Sequence, residues 1–264
     1  MKSLFTFALV VFSALAVQSQ DIEKLKDEVL KEAFLMYESE KASWHGTDLF
    51  IEQYTNTANI GGYVSYTDNK NPKCIFVSKE DKNKVIGTIT FDKTFDLTKA
   101  KVDLKERNLS ALEKKYFLLR EKTMTTMGND TIFKYYKNTK FNIVPLITKE
   151  KQRAYVLTAS TSNGKVLIGN DYLIEFDNKS EVVKTSRLHR SLLSFDYGGY
   201  DKKITGGAHN HLIDFCPIMT ATDICTLMLY QDYTNWESHT VVSKDYTSTW
   251  DCEKRELTVE PNEK

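Results

Sequence analysis

Proline and glycine are scarce, with four and 11 among 264 residues. They cluster into no Pro- or Gly-rich linker that would force a domain boundary. Cysteine is scarce too: Cys74, Cys216, Cys225 and Cys252 are the whole set. Four in a chain of this length make no disulfide scaffold, and their spacing is not that of a zinc-ribbon pair. Cys225 falls in an apolar helical run and Cys252 in a strand-like one, so both read as buried thiols. Net charge is also lacking, since 36 basic side chains balance 36 acidic ones. That balance gives no electrostatic footprint for nucleic acid or an anionic membrane. There is no internal repeat and no low-complexity tract. Beyond the N-terminus no apolar run is long enough to span a bilayer.

What is present begins with a leader. MKSLFTFALVVFSALAVQSQ carries Lys2, an apolar run from Leu4 to Val17, and then small and polar residues. This is the form of a secretory signal peptide, with cleavage expected between Ala16 and Asp21. The run is shorter than the roughly 20 residues of a spanning helix, and no Cys follows it as a lipoprotein would require. The expectation is a secreted or periplasmic protein in three parts. Residues 1–20 are the signal peptide, 21–105 a helix-plus-hairpin region, and 106–264 an α+β domain.

After the leader, Ile22, Leu25, Val29, Ala33 and Met36 recur at spacings of three and four and predict a helix over 21–40. Beyond Trp44 the runs GGYVSY, CIFVS and VIGTITFD read as strands, the last two as a hairpin about KEDKNK. Ser110 and Glu113 form a capping box that opens a second helix, LEKKYFLLREKTM. AYVLTAST and KVLIG flank Asn163-Gly164, a tight-turn signal, and DYLIEF and EVVKTS flank a second polar turn. Residues 153–186 therefore read as an antiparallel meander. The C-terminal order is strand (KITGGAHNHL), loop, helix (ATDICTLMLYQDY), then strands HTVVS, YTSTW and ELTV. Together these predict an α+β fold, a mixed and largely antiparallel sheet carrying helices.

The stretch that reads as chemistry is GGAHNHLIDFCPIMTATD. Residues two apart on a strand face the same side, so His209 and His211 would present two imidazoles to one cation. Asp223, in the first turn of the next helix, can swing toward the strand end and complete a set of three. Two imidazoles and a carboxylate suit zinc with a fourth position left for water, and iron(II) accepts a similar set. The same residues have a plainer reading, in which Thr220 and Asp223 are an ordinary capping box.

HNHLIDFCPIMTATD resembles the His-x-His…Ser/Thr-x-x-Asp core of the JAMM (MPN+) metalloproteases, over about 40 residues. The resemblance implies a JAMM-like domain over 106–264, with zinc ligands His209, His211 and Asp223 and with Thr220 as oxyanion donor. It also implies a general base for the zinc-bound water. The chain departs from the family in three places. Its loop from His211 to Thr220 is one residue longer, Leu212 stands where proline is usual, and Gln152 and Arg153 stand where the glutamate is expected. Glu150, just upstream, is the nearest substitute, with Glu175 as the other candidate. The function implied is a zinc-dependent hydrolase of peptide or amide bonds, acting on a protein or peptide substrate. The alternative is a non-catalytic secreted binding or structural protein on the same fold.

His45 and His189 stand alone in sequence and read as structural or exposed, and His239 as near the site without being a ligand. The chain has no G-x-S-x-G elbow, phosphate-cradling loop or His-Glu-x-x-His. The paired glycines at 61–62, 198–199 and 206–207 read as turns or close backbone approaches.

Overall fold

The stripe through Val29, Ala33 and Met36 drives a long helix, and in the computed structural model α1 runs unbroken from Lys2 to Gln53. The structure describes residues 2–68, 71–197, 204–212 and 216–263, with side chains from 21 onward. The helix outlasts Trp44, where strands were expected to follow, because Ala42, Leu49 and Phe50 prolong its buried face. Ala33 and Met36 enter the largest core, while Ala42 and Phe50 enter a second one with Cys74, Phe76 and Ile89. A single helix thus supports both the region up to residue 105 and the rest of the chain. Phe50 stacks on Phe76 with centroids 3.9 Å apart. The ring fits there because Gly87 has no side chain: a Cβ would lie 2.3 Å from it.

β1 (Ile60–Asp68), β2 (Asn71–Ser78), β3 (Lys84–Thr90), β4 (Lys101–Asp103) and β5 (Arg107–Asn108) form an antiparallel sheet. β2 and β3 make the expected hairpin, with Val77 opposite Val85. The capping box at Ser110 and Glu113 then starts α2 (Ala111–Asn129).

The next strands are β6 (Thr139–Ile147), β7 (Gln152–Ser160), β8 (Lys165–Gly169), β9 (Tyr172–Phe176) and β10 (Val182–Arg187). The meander predicted over 153–186 is interrupted. The turn at Gly164 (φ +79°) delivers β8 away from β7, and β8 pairs instead with β11 (Leu192–Asp196). β9 takes the place beside β7, giving the order β10-β9-β7-β6. The reason is burial: Val166 and Ile168 of β8 belong to the same core as Ile224 and Leu227.

The last sheet is β12 (Gly206–Asn210), then, after α3 (Ala221–Thr234), β13 (Ser238–Val242), β14 (Tyr246–Asp251) and β15 (Glu256–Pro261). β12 and β13 are the parallel pair among the described residues, with α3 as their crossover, and every other ladder is antiparallel. The fold is α+β with antiparallel-dominated sheets. Among the described residues no helix is long and apolar enough to cross a membrane. All four cysteines are buried free thiols.

Candidate metal centre

The parallel pairing of β12 with β13 places the first ligands. His209 lies opposite Val241, and the ladder continues past the strand end through His211 N, which donates to Val242 O at 2.9 Å. The pleat therefore turns the rings of 209 and 211 to one side. Asp223 arrives on the first turn of α3, whose N-cap is Thr220. The fourth residue is His189, in the connection between β10 and β11, where Leu188 N donates to Asp171 O at 2.9 Å.

These four residues present donor atoms that all lie within 4.8 Å of one another, and all four residues are buried. Asp223 Oδ1 is 3.0 Å from His189 Nε2 and 3.7 Å from His209 Nε2, and Asp223 Oδ2 is 3.2 Å from His211 Nε2. Ligands of a tetrahedral zinc ion, at 2.0–2.1 Å from the metal, sit roughly 3.3 Å apart, so the spacing fits. His189 Nε2, His209 Nε2, His211 Nε2 and Asp223 Oδ1 have no hydrogen-bond partner in the protein. Four buried polar atoms without hydrogen bonds, gathered within 4.8 Å of one another, are costly unless something binds them.

The other side of each ring is also furnished. His209 Nδ1 lies 2.9 Å from His239 Nε2, and His211 Nδ1 lies 3.1 Å from Ile218 O. His189 Nδ1 faces Asp171 Oδ2 at 3.7 Å, and Asp171 is itself held by Thr158 N. His209 and His211 thus turn Nε2 inward and Nδ1 to a hydrogen-bond partner, the usual outer arrangement of ligating imidazoles, while His189 Nδ1 faces the Asp171 carboxylate beyond hydrogen-bond distance.

Electrostatics follow the same geometry. Burial pulls His209 and His239 down to about 4, so both are neutral at ordinary pH. Burial also opposes the charged forms of His189 and Asp223, but each outweighs that for the other. His189 is raised, and Asp223 is held well below the usual carboxylate range. Burial pushes Asp171 up to about 7.

Of the residues read from the sequence, the structure brings His209, His211 and Asp223 together. It seats Thr220 beside them, with its hydroxyl donating to Asp223 Oδ2 at 2.7 Å. It does not bring Glu150 to the cluster. Glu150 sits in the exposed turn between β6 and β7, 3.3 Å from Thr148 Oγ1. That turn is at the Phe176 end of β9, whereas Asp171, which faces His189, precedes Tyr172. Glu175 is four residues beyond Asp171, about 13 Å along the strand, and Arg153 engages it at 3.3 Å. His45 packs against Phe91 and Phe95. His189, solitary in the sequence, is the member of the cluster that local spacing does not reveal. Its partners lie 20 and more positions away, and no spacing rule marks it; only the turn after β10 brings it in. Gly206 and Gly207 are close approaches, since a Cβ on Gly206 would lie 2.2 Å from Ser238 O.

The chain matches no family model, no curated protein and no solved structure. The site therefore stands on its own chemistry. Three imidazoles and one carboxylate suit zinc and other borderline transition metals better than calcium or magnesium, which prefer all-oxygen shells.

Proposed function

We propose that the protein is an exported metalloprotein holding one transition metal ion, zinc by its donor set, at His189, His209, His211 and Asp223. The observation that carries this is the convergence of three buried histidine nitrogens and one buried carboxylate, with donor atoms all within 4.8 Å of one another. Four protein donors complete a zinc shell, the pattern of sites that hold a fold together, whereas catalytic sites keep a position open. The ligands support this role, because they join the β10–β11 connection, β12 and α3. Export rests on the leader sequence, and a JAMM-like relationship rests on the His-x-His…Thr-x-x-Asp pattern.

A second reading, hydrolysis of a peptide or amide bond, is favoured by one observation. A cavity of about 460 Å³ opens beside His211, lined among others by Asn210, Pro217, Ser243 and Lys244. Its volume is that of small-ligand sites. Bound zinc would supply Lewis acidity there. In this structure His211 borders the cavity and Thr220 is engaged by Asp223. Asp171 lies behind His189, on the side away from the donor cluster.

Cobalt substitution separates the two readings. Metal analysis of the mature protein should give one equivalent, and the Co(II) form should show a four-coordinate spectrum that added thiocyanate leaves unchanged. A thiocyanate-dependent spectrum together with zinc-dependent cleavage of peptides would establish the hydrolase. Absence of any tight metal would sink both. Under either reading, Glu150→Gln should change neither metal content nor stability.

A further inference from the structure

His239 is fully buried, yet its Nδ1 has no partner. It lies on β13 opposite Gly207, two residues before Val241, which pairs with His209. The ring of residue 239 therefore stands diagonally beside that of 209 on one face of the parallel pair. Trp236 stacks on it at 5.7 Å and 24°, and Phe195 meets it edge-on at 5.6 Å. Gly207 leaves room for it: a Cβ there would lie 3.0 Å from His239 Nδ1 and 3.2 Å from Phe195 Cε1. Nothing in this surrounding offers the ring freedom to turn.

We infer that His239 is a positioning residue, which fixes His209 with Nε2 toward the metal by accepting a hydrogen bond from its Nδ1–H. This rests on the metal-binding reading above. The 2.9 Å contact between His209 Nδ1 and His239 Nε2 carries a single proton, and two neutral arrangements satisfy it. If His239 donates, then His209 Nδ1 is the bare nitrogen and Nε2 bears the proton, which blocks ligation. If His209 donates, then Nε2 is free for the metal and His239 keeps its own proton on Nδ1. Metal binding selects the second arrangement, so occupancy of the site and the tautomer of a residue outside it are coupled. His211 needs no such partner choice, because a backbone carbonyl, Ile218 O, can only accept.

The test uses full-length mature protein with zinc alone as the probe. Imidazole nitrogen NMR of the zinc-loaded wild type should show His209 metallated at Nε2 and protonated at Nδ1. Metallation at Nδ1 would overturn the inference without any mutant. His239→Phe, which keeps a ring between Trp236 and Phe195 but accepts nothing, should weaken zinc about 10–100-fold. His239→Gln, whose amide oxygen can accept, should restore most of that loss. Equal affinity of His239→Phe and wild type, or equal weakness of both variants, would overturn the role. A wild type that binds no zinc removes the metal reading itself, a failure distinguishable from these.

Discussion

Thr220 binds one oxygen of Asp223, Oδ2, which also faces His211, and leaves the other, Oδ1, to His189 and His209. Asp223 Oδ2 accepts from Thr220 N at 2.9 Å and from Thr220 Oγ1 at 2.7 Å, while Oδ1 has no hydrogen-bond partner. The capping box and the metal ligand, which look like rival readings of Thr-x-x-Asp in a sequence, are the same carboxylate used from two sides. The cap stops the side chain from rotating and so aims Oδ1. The helix start also favours the charged form, because the N-terminal dipole and two donors stabilise an anion.

Thr220→Ala should therefore cost twice. Loss of the cap should lower the stability of the zinc-free protein by about 1 kcal/mol, read as a shift in urea midpoint. Loss of the aim should weaken zinc by about tenfold, the low end for removal of an outer partner. Thr220→Ser should recover both, and full zinc affinity in Thr220→Ala would show that the cap does not orient the ligand.

His189→Ala should release zinc as completely as His209→Ala or Asp223→Ala, since each removes one of four donors. A three-ligand site of the kind the JAMM resemblance implies would keep its metal in His189→Ala. Chelation of the wild type should also lower its melting temperature. Zinc at a hundredfold its dissociation constant adds about 2.7 kcal/mol, and His189→Ala should show no such response.

The helices and most strands were legible because their signals are local. The caps at Ser110 and Thr220 and the stripe through Ala33 and Met36 all lie within a few residues. β6 carries no clear strand signal because Pro145 and the polar Asn142 break its alternation. β8 was misassigned because strand pairing depends on which core claims Val166 and Ile168, and nothing local records that choice. The site divides in the same way. His209, His211 and Asp223 share one strand–helix unit, whereas His189 and His239 are brought in by chain turns on either side. Glu150 drew attention through family order, and the register of β7 on β9 carries it to the far end of the sheet.

Glu40 gives the protein a pH dependence separate from the metal. It is buried in α1, accepts from Asn142 Nδ2 at 2.8 Å, and burial raises it to about 7 from a usual 4.5. Below pH 4.5 it is protonated in both folded and unfolded chains and contributes no difference. Between 4.5 and 7 the unfolded chain ionises it and the folded chain does not, so stability falls as pH rises, and the loss is complete above 7. That span corresponds to a penalty on the order of 3 kcal/mol. Glu40→Gln, which keeps an acceptor for Asn142, should match wild type near pH 4.5 and exceed it at pH 8. Urea unfolding at both values checks this, and a difference that does not change with pH would refute it.

Arg153 shows how α1 is fixed to β7, and its removal should be among the most damaging single changes outside the metal site. Its Nη1 lies 2.6 Å from Glu32 Oε1 and 3.0 Å from Glu28 Oε1, and its Nη2 lies 3.3 Å from Glu175 Oε1. Glu32 is buried, and Tyr155 also donates to it. A buried carboxylate with its cation deleted keeps the desolvation cost and loses the compensating charge, so Arg153→Met should destabilise by about 3–5 kcal/mol. The cost belongs to the stranded charge rather than to the lost contact. Glu32→Gln combined with Arg153→Met should therefore unfold at higher urea than Arg153→Met alone, although it removes one more native interaction. If the double variant is instead the less stable, Glu32 without its cation still stabilises the fold through the bond from Tyr155, and the stranded-charge account of Arg153→Met fails.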